Sequence, residues 1–472
     1  MTKQLIYYSL LFLLATGCKK FVTTEPTTAV DADVIFSGDE PANVALIGLY
    51  AKMVQEFGLM NGYPSLYGGQ YADELQPLLP QSSDLPFFHN ELSADERVVR
   101  GVWSTAYNQI NHANQTIEKI AQSEGMTEKG RRQLTAEAKF IRGIYYFYLI
   151  NLFGEVPLIL TSRYQETQQV KRVPITQVYQ QIEQDLQEAV AGLPEAWPVY
   201  PITGAVPIRA TKYAAMTLLA RVHLYRGNWQ QAIQQCDAVI DAKKFKLATD
   251  PNEAFRMSSP EIIFALQPTS EEYNTAEGHF FVYQPAIMPD GPAYVLTDSL
   301  VKAFEPADKR FIAWAKPAMV ENKRVYAPDK YEVYDGEQLI EVSLVVRLAE
   351  VYLIRAEAYA QADNAPLALA DLNTIRQRAA LPALNTVEGK PALLRAVEQE
   401  RRIELFGEWG HRWLDLCRWP SQLYPSNPGR SRADDILGNF PGKIWAPWKK
   451  RWPIPADEIA KLPALAQNEG YD

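Results

Sequence analysis

The chain has 472 residues, 47% of them hydrophobic and 22% charged, with a formal net charge of −9. That composition is ordinary for a globular protein, and the length is ample for a large core. The acidic balance argues against nucleic-acid binding, which relies on concentrated Lys and Arg to meet phosphate.

The chain opens as an export signal. Lys3 precedes an apolar run over residues 5–14, and the small residues Ala15, Thr16 and Gly17 follow. The run is too short to span a bilayer, which takes about 20 apolar residues. Cys18 comes next, so Leu14-Ala15-Thr16-Gly17-Cys18 resembles a bacterial lipoprotein box, with Ala15 where leucine is usual. The resemblance implies a signal peptide over residues 1–17 and lipid attachment at Cys18. Each buried methylene contributes about 0.8 kcal/mol, so several acyl chains would tie the chain firmly to a membrane surface without embedding it. Residues 18–38 hold Thr, Pro and few apolar side chains and read as a tether. A single body follows over residues 39–472.

Within the body, helical periodicity dominates. Amphipathic runs occupy residues 40–58, 96–124, 128–152, 174–192, 211–226, 228–242, 343–362, 365–379 and 389–407. Pro174 suits a helix start, and Gly154 and Gly227 suit helix stops. Arg142-x-x-x-Tyr146, Arg221-x-x-x-Tyr225 and Arg355-x-x-x-Tyr359 share a spacing of four, which puts both side chains on one helix face. Ala136 and Ala138, Ala214 and Ala220, and Ala356 and Ala358 surround the three pairs and permit close helix packing. Short turns then lead into second helices, which is the logic of tetratricopeptide hairpins, here unevenly spaced. The pairs themselves read as packing residues.

Three stretches break the pattern. Residues 59–95 and 264–342 mix aromatic residues with Gly and Pro, and residues 420–453 are rich in Pro, Trp and cations. Irregular stretches this long are usually functional or disordered, and their aromatic content argues against disorder. The first divides the N-terminal part, residues 39–260. The second separates that part from the C-terminal one, residues 343–472. The cluster Trp445-Ala-Pro-Trp448-Lys-Lys-Arg-Trp452 reads as packing of the C-terminal region. With Cys18 acylated, only Cys236 and Cys417 remain, too few for a disulfide framework. None of the five histidines has metal-ligand spacing to another, so neither a metal nor a cofactor is expected.

Several segments together resemble one family. They are Ala136-Glu-Ala-Lys-Phe-Ile-Arg142, Asn151-Leu-Phe-Gly-Glu-Val-Pro157, the run from Arg347 to Tyr359, Asp371-Leu-Asn-Thr-Ile-Arg376, Glu400-Arg-Arg-Ile-Glu-Leu405, His411-Arg-Trp-Leu-Asp-Leu416, Pro453-Ile-Pro455 and Gln467-Asn-Glu-Gly-Tyr471. The set resembles the SusD/RagB family of outer-membrane nutrient-binding lipoproteins, in order and over nearly the whole mature chain. The resemblance implies a mainly α fold of about four tetratricopeptide-like hairpins with irregular insertions and little β-structure. It also implies a surface-exposed receptor for glycans, or in some members peptides, that is not an enzyme and serves a SusC-like TonB-dependent transporter.

A sugar ring has an apolar C–H face and a polar rim, which suit aromatic side chains and Asp, Asn or Arg respectively. On that basis the ligand is expected between two irregular stretches, on Tyr67, Tyr71, Asp73, Phe87 and Phe88 from the first and Tyr273, Asn274, Tyr283, Tyr294 and Trp314 from the second. A surface glycosidase is the competing class. It needs paired carboxylates in a cleft, and no serine nucleophile elbow or P-loop is present to support another hydrolytic chemistry.

Overall fold

The computed structural model of the chain describes residues 32–54, 58–78, 84–196, 206–268, 273–335, 339–462 and 464–471. The signal peptide, Cys18 and the tether as far as residue 31 lie outside the described residues. The end of the expected tether is docked on the body. Ala32–Ile35 forms a helical turn, and the Ser123 hydroxyl donates to the Phe36 carbonyl at 2.6 Å. No helix among the described residues is long and apolar enough to cross a membrane.

The apolar runs become helices close to the expected limits. The scaffold consists of α1 (Arg97–Gln122), α2 (Glu128–Phe153), α3 (Ile175–Gly192), α4 (Lys212–Tyr225), α5 (Trp229–Asp241), α6 (Leu348–Gln361), α7 (Ala365–Arg378) and α8 (Gly389–Leu405). Thr127 and Thr211 cap α2 and α4 by accepting from the Gly130 and Ala214 amides. Gly154 and Gly227 close α2 and α4 with φ of +79° and +75°, a region that favours glycine. The run expected to begin a helix at residue 343 starts as a strand instead, Ser343–Arg347, which pairs antiparallel with Ile262–Leu266. Its Val345 and Val346 suit a buried strand, and the helix starts only at Leu348.

Three hairpins carry the Arg–Tyr pairs: α2 with α3, α4 with α5, and α6 with α7. Successive hairpins pack on one another, α3 against α4 and α5 against α6, while α1 packs on α2 and α8 on α6. Each signature arginine grips a carboxylate across a helix interface. Arg142 forks onto Asp185 of α3 at 2.7 and 2.8 Å. Arg221 forks onto Glu350 of α6 at 2.7 Å through both nitrogens. Arg355 forks onto Asp371 of α7 at 2.7 and 2.9 Å and reaches Asp237 of α5 at 2.6 Å. The packing expected of these pairs is therefore realised with charge as well as shape.

The stretch from residue 267 to 342 leaves and re-enters the body through the paired strands, with Leu266 opposite Ser343. It carries the hairpin of Ala315–Val320 and Lys323–Pro328. The earlier irregular stretch joins it where Leu75–Pro77 pairs with Tyr294–Leu296. The C-terminal tryptophans pack as expected. Trp452 is buried, Trp445 donates to Asp434 at 3.0 Å, and Trp448 meets the edge of Tyr471 at 4.7 Å.

A buried charge network fastens the insertion to the scaffold. Glu404 of α8 accepts from Arg347 at 2.6 Å, from Arg310 at 3.0 Å and from Arg378. Glu261 takes a second nitrogen of Arg378 at 2.7 Å, Glu408 forks onto Arg347 at 2.8 Å, and Asp308 and Glu400 hold Arg310. Burial alone would raise the Glu404 carboxyl, but Arg378, Arg347 and Arg310 outweigh it and hold it well below the usual carboxylate range. A second network lies beside it. Asp73 accepts from Arg412 at 2.8 Å and from Arg402 at 2.6 Å. The adjacent Glu74 is buried too, and burial with the Asp73 charge pushes its carboxyl up to about 8.

Two outcomes follow from these networks. Glu404→Gln keeps the side chain's shape but leaves Arg310, Arg347 and Arg378 short of a counter-charge. Urea unfolding at pH 7 is expected to show a loss of about 3–5 kcal/mol, whereas Arg163→Ala, which removes an exposed pair with Glu166 and an exposed bond to Thr161, is expected to cost under about 1 kcal/mol. Equal effects would refute the central role of the network. Glu74 has a folded pKa above its unfolded value, so the folded state holds the extra proton between about pH 4.5 and 8, and stability declines as pH rises through that window. Glu74→Gln is expected to flatten that decline in unfolding series at pH 5, 6, 7 and 8; an unchanged slope would count against the assignment.

Candidate functional site

Seven of the ten residues expected at the ligand site are instead part of the interior. Tyr67 lies between Tyr63 and Phe87, with ring centroids 5.1 and 4.2 Å away. Tyr71 is fully buried, donates to the Lys449 carbonyl at 3.2 Å and meets Trp413 edge-on. Phe87 packs on Trp452, and Phe88 lies beneath the Lys443 ammonium. Asp73 is taken up by Arg402 and Arg412. Trp314 donates to the Pro251 carbonyl at 3.0 Å under Lys330. Asn274 accepts from the backbone amides of Ile340 and Glu341. The physical reason is shared: large rings, a forked charge and, at Asn274, an amide oxygen on two backbone amides are the means by which irregular stretches pack onto helices, and these have found partners.

Tyr273, Tyr283 and Tyr294 remain partly exposed. Tyr294 donates its hydroxyl to Asp84, with its ring 6.3 Å from Phe281. Tyr273 belongs to a row of rings that sequence reasoning did not assemble. Its centroid is 5.2 Å from that of His279 at an interplanar angle of 35°, and His279 stacks on Tyr334 at 5.1 Å and 29°. Phe280 adjoins His279 at 6.0 Å. His279 is exposed and Tyr334 half-exposed, so the row borders solvent.

The row is built by backbone clamps. Thr275 caps the short helix Ala276–Phe281 by accepting from the Gly278 amide at 2.8 Å, and His279 rides on that helix. Gly278 lets the neighbouring loop come close, since a Cβ there would stand 2.4 Å from the Val333 carbonyl oxygen. Glu341 then fixes the loop, accepting from the Glu332 amide at 2.9 Å and the Val333 amide at 3.2 Å. Asn274 holds the start of the same return strand by accepting from Ile340 and Glu341 at 2.8 and 3.1 Å. Tyr273 precedes Asn274 and Tyr334 follows Val333, so the two clamps bring both tyrosines to His279. Burial pushes the Glu341 carboxyl up to about 7, against the two amides that favour its charged form. No sequence signal pairs His279 with Tyr334; the hint available was their place in a Gly- and Pro-rich aromatic stretch.

Elsewhere, a concavity of about 580 Å³ lies between the 35–52 segment and α1, lined by Leu49, Lys52, His112 and Glu118 among others. It has no comparable row of rings. Among the described residues, no group of three or more His, Cys, Asp or Glu is arranged to hold a metal ion.

Comparison with known proteins places this architecture. Residues 261–471 match the family model described as SusD family, and residues 45–224 match a second, described as starch-binding and associating with the outer membrane. SusD-like protein P25 of Formosa agariphila is 23% identical over 99% of both chains. The starch-binding protein SusD of Bacteroides thetaiotaomicron is 24% identical over 75% of each. Among solved structures, a laminarin-binding SusD-like protein superposes with a TM-score of 0.73 at 25% identity, covering 91% of this chain and 99% of that one. With both parts of the body matched in order, relatives aligned end to end and the mainly α hairpin fold shared, this chain belongs to the SusD family.

Proposed function

We propose that this protein is a glycan receptor of the outer membrane. Acylated Cys18 anchors it, the row of Tyr273, His279 and Tyr334 holds an oligosaccharide or polysaccharide, and a SusC-like TonB-dependent transporter receives the captured nutrient at the cell surface. The observation that carries the reading is the solvent-bordering row of rings, held by Asn274 and Glu341, in a chain whose relatives include named starch- and laminarin-binding proteins. Each ring contact that buries about 40–80 Å² of apolar surface contributes about 1–2 kcal/mol. Two or three such contacts give modest affinity, which suits capture followed by transfer.

Hydrolysis forms no part of this reading. A glycosidase needs two carboxylates about 5–9.5 Å apart, each free to serve the sugar. The carboxylates built into the row's support are buried and engaged, and of the exposed Glu332 and Asp335 beside Tyr334, Glu332 is bonded to Arg256. Glu277 accepts from the Ser65 and Ser343 hydroxyls at 3.3 and 3.0 Å, and Glu341 from backbone amides.

Two measurements test the proposal. His279→Ala combined with Tyr334→Ala is expected to weaken binding of a retained glycan, laminarin or amylopectin, at least tenfold by calorimetry while the unfolding midpoint shifts little; undiminished affinity would remove the row from the site. Cys18→Ala in the native host is expected to move the protein out of the membrane fraction and to abolish co-purification of a TonB-dependent barrel in detergent. Membrane retention of that variant, or an unmodified thiol at position 18 in the wild type by mass spectrometry, would contradict the anchor.

A further inference from the structure

The charges around the row are nearly all of one sign. Tyr334 has Glu332 and Asp335 beside it, both exposed. Glu341 lies beneath the same loop with its carboxylate on the Glu332 and Val333 amides. Among the described residues, the cation that forms ion pairs with this loop is Arg256, and it is already engaged. One of its nitrogens bonds to the Glu332 carboxylate, and another stands 3.6 Å from Glu341. An incoming sulfate or uronate would have to take Arg256 from Glu332 while approaching the remaining carboxylates.

We infer that the row of Tyr273, His279 and Tyr334 takes uncharged saccharides and rejects sulfated or uronic-acid glycans, with Glu332 and Asp335 as the residues that set this preference. The inference rests on the proposed glycan-binding role of the row. Its physical basis is like-charge repulsion at short range. One exposed like charge about 7 Å away changes affinity about two- to threefold in water, and the Debye length at physiological salt, about 8 Å, leaves such a pair only partly screened. Glu332 and Asp335, each meeting more than one charge of a polyanionic chain, together amount to about tenfold. The rings supply attraction that does not depend on charge, so neutral sugars keep their affinity.

The test compares each neutral polysaccharide with its own sulfated derivative, so that backbone chemistry is held constant. The acylated full chain in detergent is titrated with laminarin, amylopectin, xylan and galactomannan and with the sulfated form of each. For the neutral glycan that binds, the sulfated form is expected to bind at least tenfold more weakly at 0.15 M salt, with the gap closing as salt rises. Glu332→Gln combined with Asp335→Asn is expected to narrow the sulfated-to-neutral ratio to about threefold. Equal affinity for the two forms in the wild type, or a ratio that the double variant leaves unchanged, would overturn the charge preference while the receptor reading stood. Neutral binding that survives His279→Ala with Tyr334→Ala would overturn the placement of the site itself, and failure of every neutral glycan to bind would overturn both.

Discussion

The body of this protein depends on arginines forked onto carboxylates inside helix interfaces. Apolar contact between helices tolerates sliding, because one aliphatic surface resembles the next. A guanidinium that gives two parallel hydrogen bonds to one carboxylate fixes both distance and direction. Arg142 on Asp185 joins the two helices of one hairpin, Arg221 on Glu350 joins two separate hairpins, and Arg355 between Asp371 and Asp237 does both. Together they set the register of the hairpins, much as a polar residue sets register in a coiled coil. The network around Glu404 extends the same device to the insertion, so the stretch that carries the ring row is seated on the scaffold by charge.

Much of this fold was legible in the sequence. A period near 3.6 in apolar residues marked the helices, and glycine and threonine marked several of their ends. The Arg–Tyr spacing marked the hairpins and their packing role. The arginines' partners were not legible, since nothing local to Arg221 indicates a carboxylate at Glu350. The strand at Ser343–Arg347 was absorbed into a helical run because a short buried strand and the start of a buried helix present the same apolar pattern.

The candidate row lies in a stretch that the sequence marks as irregular, but its members were not legible as residues. Tyr71, Phe87 and Trp314 have the rings a sugar needs, yet those same rings bury large apolar area, and sequence does not separate the two uses. His279 and Tyr334 were missed for the opposite reason. Each is unremarked in its local context, and they meet only because Gly278 admits the loop and Asn274 and Glu341 hold the backbone on either side. Rings without an interior partner lie where the chain is tied down by side-chain-to-backbone bonds. That division sets a packed helical stack apart from a few exposed, well-held groups.

The paired strands at either end of the insertion have an evolutionary consequence. Leu266 and Ser343 sit opposite each other in an antiparallel ladder, so the intervening polypeptide begins and ends at one place on the scaffold. Such a segment behaves as a cassette: another sequence of different length could be exchanged between the two strands without disturbing the helix order. The constraint on the exchange is electrostatic. A replacement must still deliver the equivalents of Arg310 and Lys330 to the acids of the scaffold, because Glu400, Glu404 and Glu408 would otherwise be left buried with too few counter-charges. Diversification of the insertion is thereby open in its exposed loops and closed at those two anchoring positions.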